Sequence, residues 1–215
     1  MPSRNVVKHY SQDTFYHVYN RGVAKQLIFI DNLDRLKLIS IISRHLDPTN
    51  KSIKSDGTYY RKFNQDLELL CYCLMGNHFH MLLYLKSDLD ALHLFMQSAI
   101  TAYTMYFNKR HKRVGTLFQS VFKASSILNE TYLMHISRYI HLNPPSYKTY
   151  AYSSFQYYIS QVHPVWINPD RILNMFQGVN YAQFVDDYAD YASTLQNIKH
   201  ELANFSPSTF NKVSP

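Results

Sequence analysis

Two cysteines in 215 residues, Cys71 and Cys73, leave almost no room for disulfide or zinc chemistry. They stand two apart in an apolar run. A bridge at that spacing is badly strained, and a zinc site lacks partners nearby, so both read as buried free thiols suited to a reducing cytosol. No stretch holds about 18 uninterrupted apolar residues, and the start, Met1 to Tyr10, lacks the apolar core of a signal peptide. A cytoplasmic chain without a membrane span is the expectation. Internal repeats and low-complexity segments are absent, and 46% hydrophobic with 17% charged residues excludes a disordered tail.

Acidic charge is scarce, and unevenly so. Residues 1–159 hold 19 Lys/Arg against 10 Asp/Glu, whereas residues 160–215 hold 3 against 5. A basic body with a slightly acidic tail suits a polyanionic partner, although a generic basic surface gives the same numbers.

The hydrophobic pattern predicts a strand over 14–20 closed by Arg21-Gly22. An amphipathic helix follows over 31–46, with Leu33, Leu36, Ile39, Ile42 and Leu46 inward and Asp31 as N-cap. After a polar loop at 48–66, the apolar runs Leu67–Met75 and His78–Leu85 flank Gly76-Asn77 as a β-hairpin. A helix from Asp88 to about Phe107 places Leu89, Leu92, Phe95, Met96, Ile100, Tyr103 and Phe107 on one face. Another strand is predicted over 117–127 and a helix over Glu130–Leu142, stopped by Asn143-Pro144-Pro145. The order β-α-β-β-α-β predicts an α+β fold, a ferredoxin-like antiparallel sheet with helices on one face, followed by a further helix. Residues 1–146 read as one domain. Residues 147–215, with apolar positions at Ile172, Met175, Phe176, Phe184 and Leu195, read as a mostly helical extension.

Three features carry candidate chemistry. In His78-Phe79-His80, strand alternation puts both imidazoles on one face and Phe79 on the other. Such a pair can share a divalent metal, or simply line a solvated sheet face. In Arg138-Tyr-Ile-His-Leu-Asn143, Tyr139 and Asn143 share a helix face. A tyrosine beside an apolar stripe is ordinarily a packing residue, and Asn143 before proline serves equally as a helix stop. Last, the basic run Lys109, Arg110, Lys112 and Arg113, with Lys123 beyond it, follows Tyr103, Tyr106 and Phe107. Phosphates favour such cations and unstacked bases favour aromatic faces, but a solvated helix end carries the same residues.

In this order the blocks resemble the IS200-like single-tyrosine transposases, and within them the REP-associated branch. The blocks are Tyr16-His-Val-Tyr-Asn-Arg-Gly22, Met75-Gly-Asn-His-Phe-His-Met-Leu-Leu83, Gly115-Thr-Leu-Phe-Gln119 with Phe122-Lys-Ala124, Arg138-Tyr-Ile-His-Leu-Asn-Pro144 and Tyr152-Ser-Ser-Phe155. The resemblance implies that His78 and His80 are the metal ligands of the family's HUH pair. Tyr139 is then the nucleophile, and Asn143 completes the shell of an Mg²⁺ or Mn²⁺ ion. It further implies cleavage and rejoining of single-stranded or hairpin DNA through a 5′-phosphotyrosine, with Arg21, Lys109, Arg110, Lys112, Arg113, Lys123 and Arg138 as expected DNA contacts and Tyr16, Tyr103 and Tyr106 as stacking candidates. Members act as monomers or homodimers. One departure stands out: an aromatic-Gln-Gly-Arg block common in relatives reads Phe118-Gln-Ser-Val121 here, so Val121 replaces a DNA-contacting arginine. The competing expectations are a catalytically silent hairpin-binding regulator and a water-using, metal-dependent nuclease.

Overall fold

The computed structural model describes residues 10–160, 162–176 and 178–188; Leu195 lies outside them. Strands β1 (Thr14–Arg21), β2 (Leu67–Met75), β3 (His78–Leu85) and β4 (Lys123–Ile127) form one sheet in the order β2-β3-β1-β4. Every neighbouring pair is antiparallel, the arrangement of the ferredoxin-like fold. Helices α1 (Asn32–Leu46) and α2 (Ala91–Arg110) cover one face. The other face is covered by α3 (Glu130–His141), α4 (Phe155–Ser160), α5 (Asp170–Leu173) and α6 (Tyr181–Asp186).

Period-two alternation assigns the faces. Tyr16 and Val18 of β1 and Phe79, Met81, Leu83 and Leu85 of β3 pack against α1 and α2. The alternate residues, among them His17, Tyr19, His78, His80 and Leu82, therefore face α3. Strand β2 is buried on both faces. A register shift between Leu69 and Cys71 inserts Leu70, so Leu70 and Cys71 both pack on the α3 side, and Cys73 joins them two residues on. Both thiols are free and buried.

The predicted hairpin, first strand and tyrosine-bearing helix fall where the pattern put them, but two expectations need correction. In α1, Leu33 and Leu36 are 59% and 52% exposed, and the buried stripe is instead Asp34, Leu38, Ile41, Ile42, His45 and Leu46. Charge pairing sets this phase. Asp34 is fully buried and accepts from Ile30 N–H at 2.9 Å, Arg110 at 2.6 Å and His111 at 3.0 Å, so the first turn faces the end of α2. Strand β4 is shorter than the predicted 117–127. Before Lys123 the chain leaves the sheet, touching it at a bridge between Gly22 and Phe118, and the carbonyl of Ser120 accepts from the Asn20 side chain rather than from a neighbouring strand.

Gly22 ends β1 where a Cβ would lie 2.2 Å from the carbonyl oxygen of Gln26, so the turn there has no space for a side chain. From this turn Val23 N–H donates to Leu117 O at 3.0 Å. The segment after α2 is thereby tied to the pole of the sheet where β3 begins. No helix among the described residues is long and apolar enough to cross a membrane.

Candidate active site

Four aromatic side chains converge beneath α3. His17 and Tyr19 come from β1, which is held on both sides by β3 and β4. His78 and His80 come from the first three residues of β3, immediately after the tight turn at Gly76-Asn77. Tyr19 pairs with His80 and Arg21 with His78 across the strands, so these side chains share one face. The His78 and His80 ring centroids are 5.1 Å apart, nearly perpendicular. Phe79 between them is buried against Phe118 on the opposite face and anchors the strand.

Helix α3 starts at the N-cap Asn129, whose side chain accepts from Tyr132 N–H, and its inner stripe is Leu133, Ile136 and Ile140. Tyr139 belongs to this buried side. Its ring stands edge-on to His80 with centroids 5.3 Å apart, and to His17 at 6.1 Å. One turn on, Asn143 Oδ1 lies 3.0 Å from His78 Nε2. The i, i+4 pair thus reaches both histidines: Tyr139 against His80, Asn143 against His78.

Tyr139 is only 3% exposed. Burial pushes its hydroxyl up to about 12, the Asn143 amide beside it acting in the opposite direction. The phenol is protonated at neutral pH, and forming tyrosinate requires further positive charge nearby. Lys123 borders this face, its ammonium 5.8 Å from the Tyr19 ring, and Tyr19 in turn lies beside His80 with centroids 5.8 Å apart.

The hydrogen bonds of the donor set show whether it suits a divalent cation. Asn77 Oδ1 lies 2.7 Å from His78 Nδ1, and a neutral ring that donates there keeps its lone pair on Nε2. In that tautomer Nε2 and Asn143 Oδ1, 3.0 Å apart, are both acceptors, and Asn143 Nδ2 is buried with no hydrogen-bond partner among the described residues. Two acceptors converging this way suit a cation between them, so the residues fit. No group of three or more His, Cys, Asp or Glu among the described residues is arranged to hold a metal; the set is two imidazoles and an amide.

The expected DNA contacts divide. Lys109 and Lys112 are exposed, and Lys123 and Arg21 are half-buried, Arg21 with a buried Nε that has no hydrogen-bond partner among the described residues. Arg113 is half-buried and donates to Gln26 Oε1 at 3.0 Å. Arg110 is engaged with Asp31 and Asp34 at 2.6 Å each, which hold its guanidinium charged and close α2 onto α1. Arg138 is buried. It donates to Phe184 O at 3.1 Å and stacks 3.3 Å from the centroid of Tyr188, tying α3 to the C-terminal helices. In this arrangement neither arginine is presented to a phosphate. Of the stacking candidates, Tyr16 and Tyr103 are buried, with hydroxyls bonded to Ser11 and Ile28 backbone. Tyr106 is half-buried over Lys37. Val121 is exposed.

Sequence reasoning missed His17. It is fully buried, its Nε2 lies 2.9 Å from His80 Nδ1, and desolvation lowers its pKa to about 3. The signal was available: alternation in Tyr16-His-Val-Tyr19 sets His17 opposite the core, and pairing β1 with β3 brings it beside His80.

A family model described as IS200-like transposase matches residues 58–143, a span holding His78, His80, Tyr139 and Asn143. Among solved structures, a REP-associated tyrosine transposase bound to a REP hairpin aligns with a TM-score of 0.50 and 14% identity, covering 77% of this chain and 91% of that one. A tRNA(His) guanylyltransferase from Saccharomyces cerevisiae aligns at 0.38 and 15% identity, over 85% and 80% of the two chains. No curated protein sequence matches significantly. The family model thus spans less than half of the chain, and the REP-associated structure shares its fold.

Proposed function

We propose that this chain cleaves and rejoins single-stranded DNA at hairpin-forming ends, with Tyr139 as nucleophile. The observation that carries the reading is the placement of Tyr139 and Asn143, one turn apart on α3, against His80 and His78 respectively. The Tyr139 hydroxyl oxygen attacks the scissile phosphorus in line. A new phosphorus–oxygen bond forms to the tyrosine, the bond to the 3′-oxygen breaks, and the strand leaves with a free 3′-OH while the 5′-phosphate stays on Tyr139. Attack by another 3′-OH reverses the step and joins strands, because the phosphodiester energy is retained in the covalent bond.

His78, His80 and Asn143 would hold the divalent ion, Mg²⁺ or Mn²⁺. When bound, it supplies positive charge that polarises the phosphate and favours tyrosinate. Lys123 and Arg21 border the same face and would meet the DNA backbone, with Lys109, Lys112 and Arg113 extending the basic surface. The hairpin is the ligand of the similar solved structure and is carried to this chain as part of the proposal. Residues 1–146 would form the cutting unit, and residues 147–215 an extension in which α4, α5 and α6 pack beside α3.

A second reading, a hairpin-binding protein that does not cut, draws on the burial of Tyr139. Labelled hairpin DNA incubated with Mn²⁺ and separated on a denaturing gel decides between them. A slow, metal-dependent adduct absent from Tyr139→Phe is expected. Binding without cleavage would favour the second reading, and cleavage unchanged in the variant would point to attack by water.

A further inference from the structure

We propose that His17 is a positioning residue for His80. Its Nε2 accepts the Nδ1 proton of His80, fixing that ring and keeping the lone pair on His80 Nε2, the nitrogen that would meet a metal. The inference rests on the reading of His78 and His80 as ligands, and adds a residue that acts only through one of them.

The two rings lie with planes within 16° and nitrogens 2.9 Å apart. One proton serves that contact, so there are two arrangements. If His17 donates, the proton of a neutral His80 sits on Nε2 and blocks it as a ligand. If His80 donates, Nε2 is a ligand and the proton of His17 moves to its own Nδ1. That Nδ1 is buried without a hydrogen-bond partner among the described residues. A leucine or phenylalanine would fill the site without a buried orphan nitrogen, so packing does not account for a histidine here. Its one polar contact, with His80, does. The backbone also suits the role. His17 lies opposite Leu82 on β3 and Ser125 on β4, in a strand paired on both sides, and Tyr16 and Val18 lock it into the core.

Two measurements on the full chain test this. The first is long-range proton–nitrogen NMR of His80 in the metal-free wild-type protein. Protonation at Nδ1 is expected, with a shift toward the other tautomer in His17→Leu. Protonation at Nε2 in the wild type would overturn the proposal. The second is Mn²⁺ titration followed by electron paramagnetic resonance. His17→Leu is expected to bind about 10–100-fold more weakly, the usual effect of losing a group that orients a ligand. His17→Gln, whose amide oxygen can take the place of Nε2, should recover most of the affinity. Wild-type affinity in His17→Leu, alongside lost binding in His80→Ala, would also overturn it. If neither the wild type nor His80→Ala takes up Mn²⁺, the metal reading fails by itself, and the NMR result still decides what His17 does to His80.

Discussion

His17 and His141 are both fully buried, and desolvation lowers both pKa values to about 3, yet they differ in what surrounds them. His141 has a partner on each nitrogen: Tyr181 Oη at 2.7 Å from Nδ1 and Ser154 Oγ at 2.8 Å from Nε2. The network continues from Tyr181 to Ser137 and from Ser154 to the backbone of Tyr72, joining α3, α4, α6 and β2. Among the described residues His17 has one hydrogen bond, to His80, and one nitrogen without a partner. Burial and titration therefore do not tell a structural histidine from a functional one. What separates the two is completeness of hydrogen bonding, since a group kept for stability alone gains nothing from a buried nitrogen left unpaired.

The largest effect separating the two regions is expected at Tyr139, whose ring meets His17 on one side while its helix is anchored through His141 on the other. Tyr139→Phe removes one oxygen and leaves the packing, so covalent DNA attachment should fall by about 10³-fold or more. Hairpin affinity, measured by fluorescence anisotropy, should stay within about twofold of the wild type. A parallel loss of affinity would mean that the hydroxyl binds rather than reacts.

His141→Phe comes next. It leaves Ser154 and Tyr181 short of a partner in a buried network, so urea denaturation should show a loss of about 2–4 kcal/mol, with Mn²⁺ affinity unchanged. The reverse outcome, stable protein with weakened metal binding, would exchange the roles assigned to the two histidines.

A smaller effect lies in pH. The folded pKa of His141 is lowered from 6.5 to about 3, so below pH 6.5 the unfolded chain binds the proton and the folded one does not. The stabilising contribution is complete above pH 6.5 and is lost as pH falls toward 3, by about 1 kcal/mol per unit for this group. Between pH 6.5 and 5 the wild type should lose stability more steeply than His141→Phe, by about that slope. Equal slopes would show that His141 is not buried neutral.

The smallest effect concerns the cations. Lys112→Ala should reduce the slope of log affinity against log salt for hairpin DNA by about 1, while Arg138→Met should leave that slope alone and lower stability. A reduced slope in Arg138→Met would show that its stacking on Tyr188 opens when DNA binds.

The sequence patterns identified the hairpin, the first strand and the tyrosine-bearing helix because each shows a clean period: alternation in His78–Leu85, and Leu133, Ile136 and Ile140 on one helical side. The phase of α1 was misread because hydrophobicity alone favours Leu33 and Leu36. A buried carboxylate with partners 76 and 77 residues away decided otherwise, and nothing local encodes that pairing. Basic residues were legible as charges but not as free charges. Arg110 and Arg138 look like Lys109 and Lys112 until Asp34, Phe184 and Tyr188 are in place. His78, His80, Tyr139 and Asn143 lie in short contiguous motifs and could be named together; His17 needed strand register, a long-range property.

The residue to which DNA becomes attached is the most direct test of Tyr139 as nucleophile. After reaction with Mn²⁺ and a hairpin oligonucleotide, the adduct would be trimmed with nuclease, digested with trypsin and sequenced by mass spectrometry. Cleavage after Arg138 and Lys148 releases a peptide that begins at Tyr139 and also contains Tyr147. A nucleotide phosphate on Tyr139 is expected. Attachment to Tyr147, Tyr19 or any other residue, or cleaved DNA with no modified peptide, would contradict it.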